Sequence, residues 1–309
     1  IKGEEGTDVT VTVKRESDVY DITITRAQVF TSVTSEIKEG IGYVQISSFG
    51  SQTAEELYNH LVALQNKGVT RLILDVRDNG GGYLNTLMKM SSFFLPKGSV
   101  VLKEEMRDGS VTTHTTSTLP ISFDKIVLLV NENSASCSEV FASALRDAGV
   151  SIVGVTTYGK GTVQVTRAFS DGSALKYTTA RWLTSDDKSI DGIGVVPDEE
   201  VRLPDAMYES YVILEENESY APDTVSDKVK TSQILLDFLG YSVDRKDGYF
   251  SAKTQSAIRK FQKDQQLEAT GILDHTTASA LNAAVVREWS VNRDVHDTQF
   301  VKAMEIIHE

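Results

Sequence analysis

Two hydrophobic periodicities divide the chain. Near its start, "TDVTVTVKR" and "YDITITRAQV" alternate apolar and polar residues at period two, with the charged "ESD" between them. This predicts a β-hairpin with one face buried over residues 1–27; a lone hairpin is marginal, so further strands are expected to precede it. From about residue 28 the pattern changes. "IGYVQISSF", "TRLILDVR", "KIVLLVN" and "SIVGVTTYG" are short, nearly continuous apolar runs. Between them "TAEELYNHLVALQNKG", "DNGGGYLNTLMKMSSFFL" and "SASCSEVFASALRDAG" carry apolar residues at helical spacing. The first of these helices is expected to use Thr53 as N-cap, with Glu56 three residues on and Gly68 as its stop. Apolar strands alternating with amphipathic helices predict an α/β domain over 28–205, with a largely parallel sheet covered on both faces. The β-rich "GTVQVTRAFSDGSALKYTTARWLT" closes it.

Beyond this the text turns acidic and irregular ("ENESYAPDTVSDK"), and 206–228 reads as a linker. Residues 229–285 then give a small all-α unit of three short helices. Ile234, Leu235 and Phe238 share one face, Ile258 and Phe261 another, and the last helix, capped near Asp274, carries Leu281. The tail 286–309 ends in the amphipathic "DTQFVKAMEIIH", which makes a homodimer an expectation.

Composition narrows the functions. No apolar run approaches the roughly 20 residues of a membrane-spanning helix. A net charge of −13 without a basic cluster argues against nucleic acid as a partner. Cys137 is the single cysteine, so an internal disulfide and a Cys-based zinc site are both excluded. The five histidines lack metal-ligand spacing and read as surface or capping residues. The chain opens with Ile1 in mid-pattern, so compartment is not read from this end.

The candidate chemistry starts with "VNENSASCSEVF", where Ser134, Ser136 and Ser138 sit between an apolar strand and a helix. A serine in such a turn can project as a nucleophile while a neighbouring N–H binds the oxyanion. Capping and packing explain the same three serines, and Ser134 and Ser138 better than a catalytic role does. A base is needed, and Lys160, between two glycines in "TTYGKGTVQV", is a candidate if burial keeps its amine neutral. An exposed turn lysine is the alternative. At strand periodicity Gln164 shares the lysine's face and could hold the amine. The turn "DNGGGYL" follows a buried strand and opens a helix; it lacks the Gly-Lys-Ser/Thr of a phosphate loop and the dinucleotide spacing, so an oxyanion donor fits better than a phosphate cradle.

Together "DVRDNGGGYL", "SASCSEVFASALRDAG", "GKGTVQ" and "DGIGVVPD" resemble, in order, the motifs of the carboxy-terminal processing (tail-specific) proteases, a serine–lysine peptidase family. The resemblance implies a crotonase/Clp-like α/β spiral core. It implies Ser136 as nucleophile, Lys160 as general base, Gln164 as its orienting residue, and the N–H groups of Gly82 and Cys137 as oxyanion donors. Asp147 falls on a family position and reads as a structural partner. The opening hairpin resembles the last strands of the PDZ domain that precedes this core in the family. Residues 229–285 resemble a three-helix peptidoglycan-binding domain through "DGYFSAKTQSAIRKFQ" and "TGILDHTTASAL". The implied activity is regulated cleavage of protein or peptide substrates with apolar C-termini, outside the bacterial membrane, without metal or organic cofactor. Peptidoglycan is the implied further partner.

Two other readings compete. In one the core is a silent or gated scaffold that binds cell wall, or pairs with a second copy, through its C-terminal unit. In the other the glycine turn serves an acyl-CoA hydratase or isomerase, which would need a carboxylate pair near "NGGG" and leaves "GKGTVQ" without purpose.

Overall fold

The computed structural model describes residues 3–15, 18–27, 31–117 and 121–309. Strands β1 (Asp8–Arg15) and β2 (Asp18–Thr25) form the expected antiparallel hairpin, with Val9 opposite Ile24, Val11 opposite Ile22 and Val13 opposite Tyr20. Its expected buried face is largely open: Tyr20, Ile22 and Ile24 are exposed, and Val9 and Val11 only half-buried. The turn residues Glu16 and Ser17 lie outside the described residues.

The α/β domain follows as β3 (Val33–Lys38), β4 (Ile41–Ile46), α1 (Thr53–Asn66), β5 (Arg71–Asp75), α2 (Leu84–Ser91), β6 (Val100–Met106), β7 (Val111–Thr115), β8 (Lys125–Val130), α3 (Cys137–Asp147), β9 (Ser151–Gly154), β10 (Thr162–Ala168), β11 (Ala174–Leu183) and β12 (Glu199–Glu200). Six strands make the central sheet in the order β12-β9-β8-β5-β4-β3, parallel throughout except for β3. A second, antiparallel sheet runs β10-β11-β6-β7. At the start of α1 the expected cap is not formed: Thr53 lies inside the helix, and its hydroxyl accepts from Gly50 N at 2.9 Å. Glu56 instead accepts from Ser32 N and Val33 N at 2.7 and 3.1 Å, pinning the entry to β3. Gly68, at φ +79°, ends the helix region as expected.

The near-continuous apolar strands are explained by cover on both faces. Sheet order advances one way from β4 through β5 and β8 to β9, so crossovers of one hand lay α1, α2 and α3 on the same face. There Val44, Ile46, Leu72, Leu74, Leu128 and Val130 meet Leu57, Leu61, Leu87 and Phe141. Alternate residues of the same strands, Ile41, Tyr43, Ile73, Val127, Leu129 and Val153, face the other way.

What covers them comes from the end of the chain. After β13 (Ser219–Tyr220), α4 (Asp227–Phe238), α5 (Ala252–Asp264), β14 (Leu273–Asp274), α6 (His275–Val291) and α7 (Arg293–His296), helix α8 (Thr298–His308) returns to the sheet. Its Phe300, Ala303, Ile306 and Ile307 close the second face, and burial of each large side chain contributes about 1.5–3 kcal/mol. Lys125 Nζ donates to Ile306 O at 2.5 Å, a cation at the helix C-terminus. The apolar face expected to pair two copies is therefore spent on the chain's own core.

The small unit also differs from expectation at its edges. Residues 206–228 are not a free linker: Ala206, Val212 and Leu214 enter a core with Val229, Leu236, Phe250, Ile258, Phe261 and Leu281. Asn282 clamps Val212 through both its backbone groups, at 3.0 and 2.9 Å. Helix α6, capped by Asp274 as expected, runs past residue 285 to Val291.

Candidate active site

Three loops leave the carboxyl ends of the adjacent parallel strands β5, β8 and β9, the edge at which open α/β sheets bind ligands. The loop after β8 carries the serines. Ser134 is buried, donating to Val76 O at 2.8 Å and accepting from Asn131 N at 3.0 Å. Ser138 is buried and donates to Asn79 O at 2.8 Å. Both are committed to structure. Ser136, the N-cap of α3, holds φ +57° and ψ −116° and remains 9% exposed. Such left-handed backbone at a non-glycine residue costs about 1–3 kcal/mol and persists only where its surroundings impose it.

The glycine turn after β5 supplies part of that surrounding. Buried Asn79 shapes it, donating to Ile46 O and accepting from Gly81 N, each at 2.9 Å. Phe49 then brackets it, donating to Gly81 O at 3.0 Å and accepting from Tyr83 N at 2.8 Å. Gly81 has φ +99°, and a Cβ there would lie 2.9 Å from the Ser136 Cβ. A Cβ on Gly82 would strike Phe49 O at 2.3 Å. Only glycine lets this turn lie against the serine. Among the described residues neither Gly82 N–H nor Cys137 N–H has an acceptor, so both candidate oxyanion donors are unspent. The Cys137 side chain is buried with its thiol on Gly82 O at 3.4 Å. Burial pushes that thiol up to about 11, against the opposing pull of the Gly82 backbone, the Ser136 side chain and the Lys160 charge.

The loop after β9 carries Lys160. Its anchor is Glu139, fully buried in the first turn of α3. Glu139 Oε2 accepts from Ser136 N and Lys160 N, both at 2.8 Å, and Oε1 from Gly159 N and Thr157 Oγ1, both at 2.6 Å. One carboxylate thus fixes the backbones of both the candidate nucleophile and the candidate base. The "DGIGVVPD" segment forms the seat of this turn: Gly192 N donates to Gly159 O at 2.8 Å, and Gly161 N to Asp191 Oδ1 at 3.1 Å.

The side chains are less assembled than the backbones. Half-buried Lys160 forms no side-chain hydrogen bond or ion pair among the described residues, with Ser136 or any other. Gln164 is exposed and likewise has no side-chain partner. The two residues do not share a strand face as expected, because Lys160 precedes β10 and a bulge between Val163 and Gln164 shifts the alternation. Asp147 sits at the far end of α3 and accepts from Ser185 Oγ, a structural role. Around the loops Tyr83, Tyr158, Ile193 and Val196 are 65%, 68%, 64% and 53% exposed, an apolar rim open to solvent.

The sequence profile of "Peptidase family S41" matches residues 40–201, more than half the chain. The chain belongs to peptidase family S41. Its S41 region runs from the end of β3 to just past β12 and includes all three loops. A second profile, "Putative peptidoglycan binding domain", matches 225–281. A "Probable CtpA-like serine protease" of Staphylococcus haemolyticus strain JCSC1435 is 37% identical over 292 residues, covering 93% of this chain and 58% of that protein. One from Staphylococcus aureus strain N315 is 35% identical over 301 residues, covering 96% and 60%. The chain therefore spans about three-fifths of the length of these curated relatives. The solved "photosystem II D1 C-terminal processing protease" is 28% identical with a TM-score of 0.52, over 65% of this chain and 57% of that one.

Sequence reasoning passed over Glu139, Asn79, Thr157 and Arg77. Glu139 was readable, since Ser136-x-x-Glu139 is the spacing at which a glutamate reaches back to a helix N-cap. Asn79 and Thr157 carry no such signal, because their partners are backbone groups of distant loops.

Proposed function

We propose that this S41 chain carries the catalytic core of a serine endopeptidase that cleaves proteins near their C-termini. In this reading Ser136 is the nucleophile, Lys160 the general base and Gln164 the residue that orients the base. The N–H groups of Gly82 and Cys137 bind the oxyanion. One observation carries the reading: a strained serine at a strand-to-helix elbow shares a buried carboxylate with a lysine-bearing turn.

The chemistry balances without a further reactant than water. The neutral Lys160 amine takes the Ser136 proton as Oγ bonds to the substrate carbonyl carbon, and negative charge moves to the carbonyl oxygen. Two unspent N–H groups meet it; loss of one such donor typically costs about 2.7–4 kcal/mol of barrier. The C–N bond then breaks and the lysine proton goes to the leaving amine. Water repeats the sequence on the acyl-enzyme. Catalytic hydrogen bonds are often long in unliganded enzymes and tighten on substrate binding. The separation of Lys160 Nζ from a partner therefore supports a resting state that substrate or a regulator completes. The apolar rim of Tyr83, Tyr158, Ile193 and Val196 favours substrates with apolar C-terminal residues. The 225–281 unit favours peptidoglycan as the place where the enzyme is held, and with it an extracytoplasmic location.

The test is a fluorophosphonate label with the modified residue mapped by mass spectrometry, alongside hydrolysis of C-terminally apolar peptides. Labelling of Ser136 is expected, with hydrolysis abolished in Ser136→Ala and Lys160→Ala. Hydrolysis by Ser136→Ala at the wild-type rate would overturn the assignment. No labelling, with peptidoglycan pull-down intact, would favour the wall-binding scaffold instead.

A further inference from the structure

Arg77 ends the "DVR" run and stands one residue before the turn that holds Gly81 and Gly82. It is 6% exposed, and its guanidinium is fully occupied. Nε and Nη2 donate to the Asp75 carboxylate at 3.0 and 2.7 Å, and Asp75 also accepts from Tyr43 Oη at 2.5 Å. The remaining bonds go to the other end of the chain. Nη1 donates to Asp297 Oδ1 at 2.8 Å and to Gln299 Oε1 at 3.0 Å, and Nη2 to Asp297 Oδ2 at 2.9 Å. Asp297 and Gln299 are 1% and 0% exposed. A bidentate guanidinium–carboxylate pair fixes direction as well as distance.

The turn itself is held from the serine's side by other groups. Asp78, at φ +58°, receives Asn131 Nδ2 at 2.9 Å and Asn133 Nδ2 at 2.8 Å, while Asn79 faces inward. A left-handed residue between two anchors keeps its conformation only while both hold. Arg77 is the anchor on the α8 face.

We propose that Asp297 and Gln299 are positioning residues of the active site, holding Arg77 and through it the point at which the oxyanion turn leaves the sheet. The inference rests on the reading of Ser136 and Gly82 given above. It makes the S41 site dependent on a segment that lies beyond the 40–201 match and on the far side of the wall-binding unit. Asp297 also caps α8, accepting from Phe300 N at 3.0 Å. Asparagine keeps that cap while removing the charge and one acceptor from the guanidinium.

The test uses the full chain with Asp297→Asn, Asp297→Glu and Gln299→Leu. Hydrogen–deuterium exchange needs no activity. The hydrogen-bonded amides of the turn, those of Asp78, Asn79 and Gly81, are expected to exchange about tenfold faster in Asp297→Asn and Gln299→Leu, with α1 and α5 unchanged and partial rescue in Asp297→Glu. In parallel, kcat per fluorophosphonate-titrated serine is expected to fall about 10–100-fold at constant KM. A merely structural role would lower the titrated fraction and leave kcat per site alone, and that result overturns the proposal. Unchanged exchange at the hydrogen-bonded turn amides overturns it as well. Should the wild-type chain fail to label at Ser136, the catalytic reading falls, and the exchange data still decide whether the clasp holds the turn.

Discussion

Ser136 and Lys160 donate their backbone N–H groups to the same oxygen, Glu139 Oε2, each at 2.8 Å. The two residues are 24 positions apart in sequence and lie on different loops. What unites them is a helix-capping glutamate with four donors and no solvent.

Glu139→Gln tests that junction directly. An amide offers one acceptor and turns an NH2 group toward donors, so at least two of the four bonds are lost. Each buried group left unpaired costs about 1–3 kcal/mol, and a displacement near 1 Å of a catalytic group costs about 100-fold in rate. We expect kcat to fall by about that factor and the melting temperature to drop. Steady-state kinetics and a thermal melt check both, and wild-type kcat would disprove the role.

Gly81→Ala is expected to fail through the backbone. The added Cβ would sit 2.9 Å from the Ser136 Cβ and 3.0 Å from Cys137 N, at a φ of +99° that L-residues resist. Activity should vanish, while urea denaturation shows a loss of about 1–3 kcal/mol. Alanine at Gly68, where an added Cβ meets nothing within 4 Å, serves as the control for φ strain alone.

Cys137 gives the pH prediction. With its thiol pushed up to about 11 from a usual 9.0, the thiolate fraction at pH 8 is about one in a thousand. Iodoacetamide should therefore leave the folded protein unmodified at pH 8 and label it once urea unfolds it. The raised pKa means the folded state holds its proton longer than the unfolded chain. Stability should be complete below about pH 9 and decline as pH rises toward 11. Cys137→Ala is expected to remove that decline and to keep activity, since the mechanism proposed above uses only the N–H of residue 137. Loss of activity in Cys137→Ala would contradict this assignment.

Phe300→Ala probes the covered sheet face. Phe300 is 7% exposed and packs edge-on to Tyr43 with ring centroids 5.5 Å apart. The expected cost is about 3–5 kcal/mol, read as a lower urea midpoint at unchanged slope. Sedimentation should show no change in oligomeric mass. A halved mass would mean that the helix joins two copies after all.

Much of this architecture was legible because the parallel strands announce themselves. "TRLILDVR" and "KIVLLV" are apolar at successive positions, which requires cover on both faces, and the glycine turns between strands and helices mark the loops that meet at the site. The identity of the second cover was not legible. The periodicity of α8 shows that it has an apolar face but not that its partners are the distant strands β4, β5, β8 and β9, so pairing with another copy read equally well. Strands β3, β6 and β7 were missed because their outward positions are mixed, as in "VTSEIK" and "VTTHT". Residues 206–228 looked like a linker from their acidity, although Val212 and Leu214 alternate with exposed Tyr211 and Ile213. The bulge that separates Gln164 from the face of Lys160 leaves no trace in composition, since any residue can occupy it.

The neck between the two halves is double. Where the chain departs after β12, Arg202 O accepts from Thr298 Oγ1 at 2.6 Å, and Val201 O from Gln299 Nε2 at 2.8 Å, as the chain comes back. A body hung from one segment of chain can swivel; one joined by two segments that are laced together has less freedom to do so. If the helical unit is held at a surface, this double neck constrains the direction in which the loops around Ser136 face, and not only how near they stand.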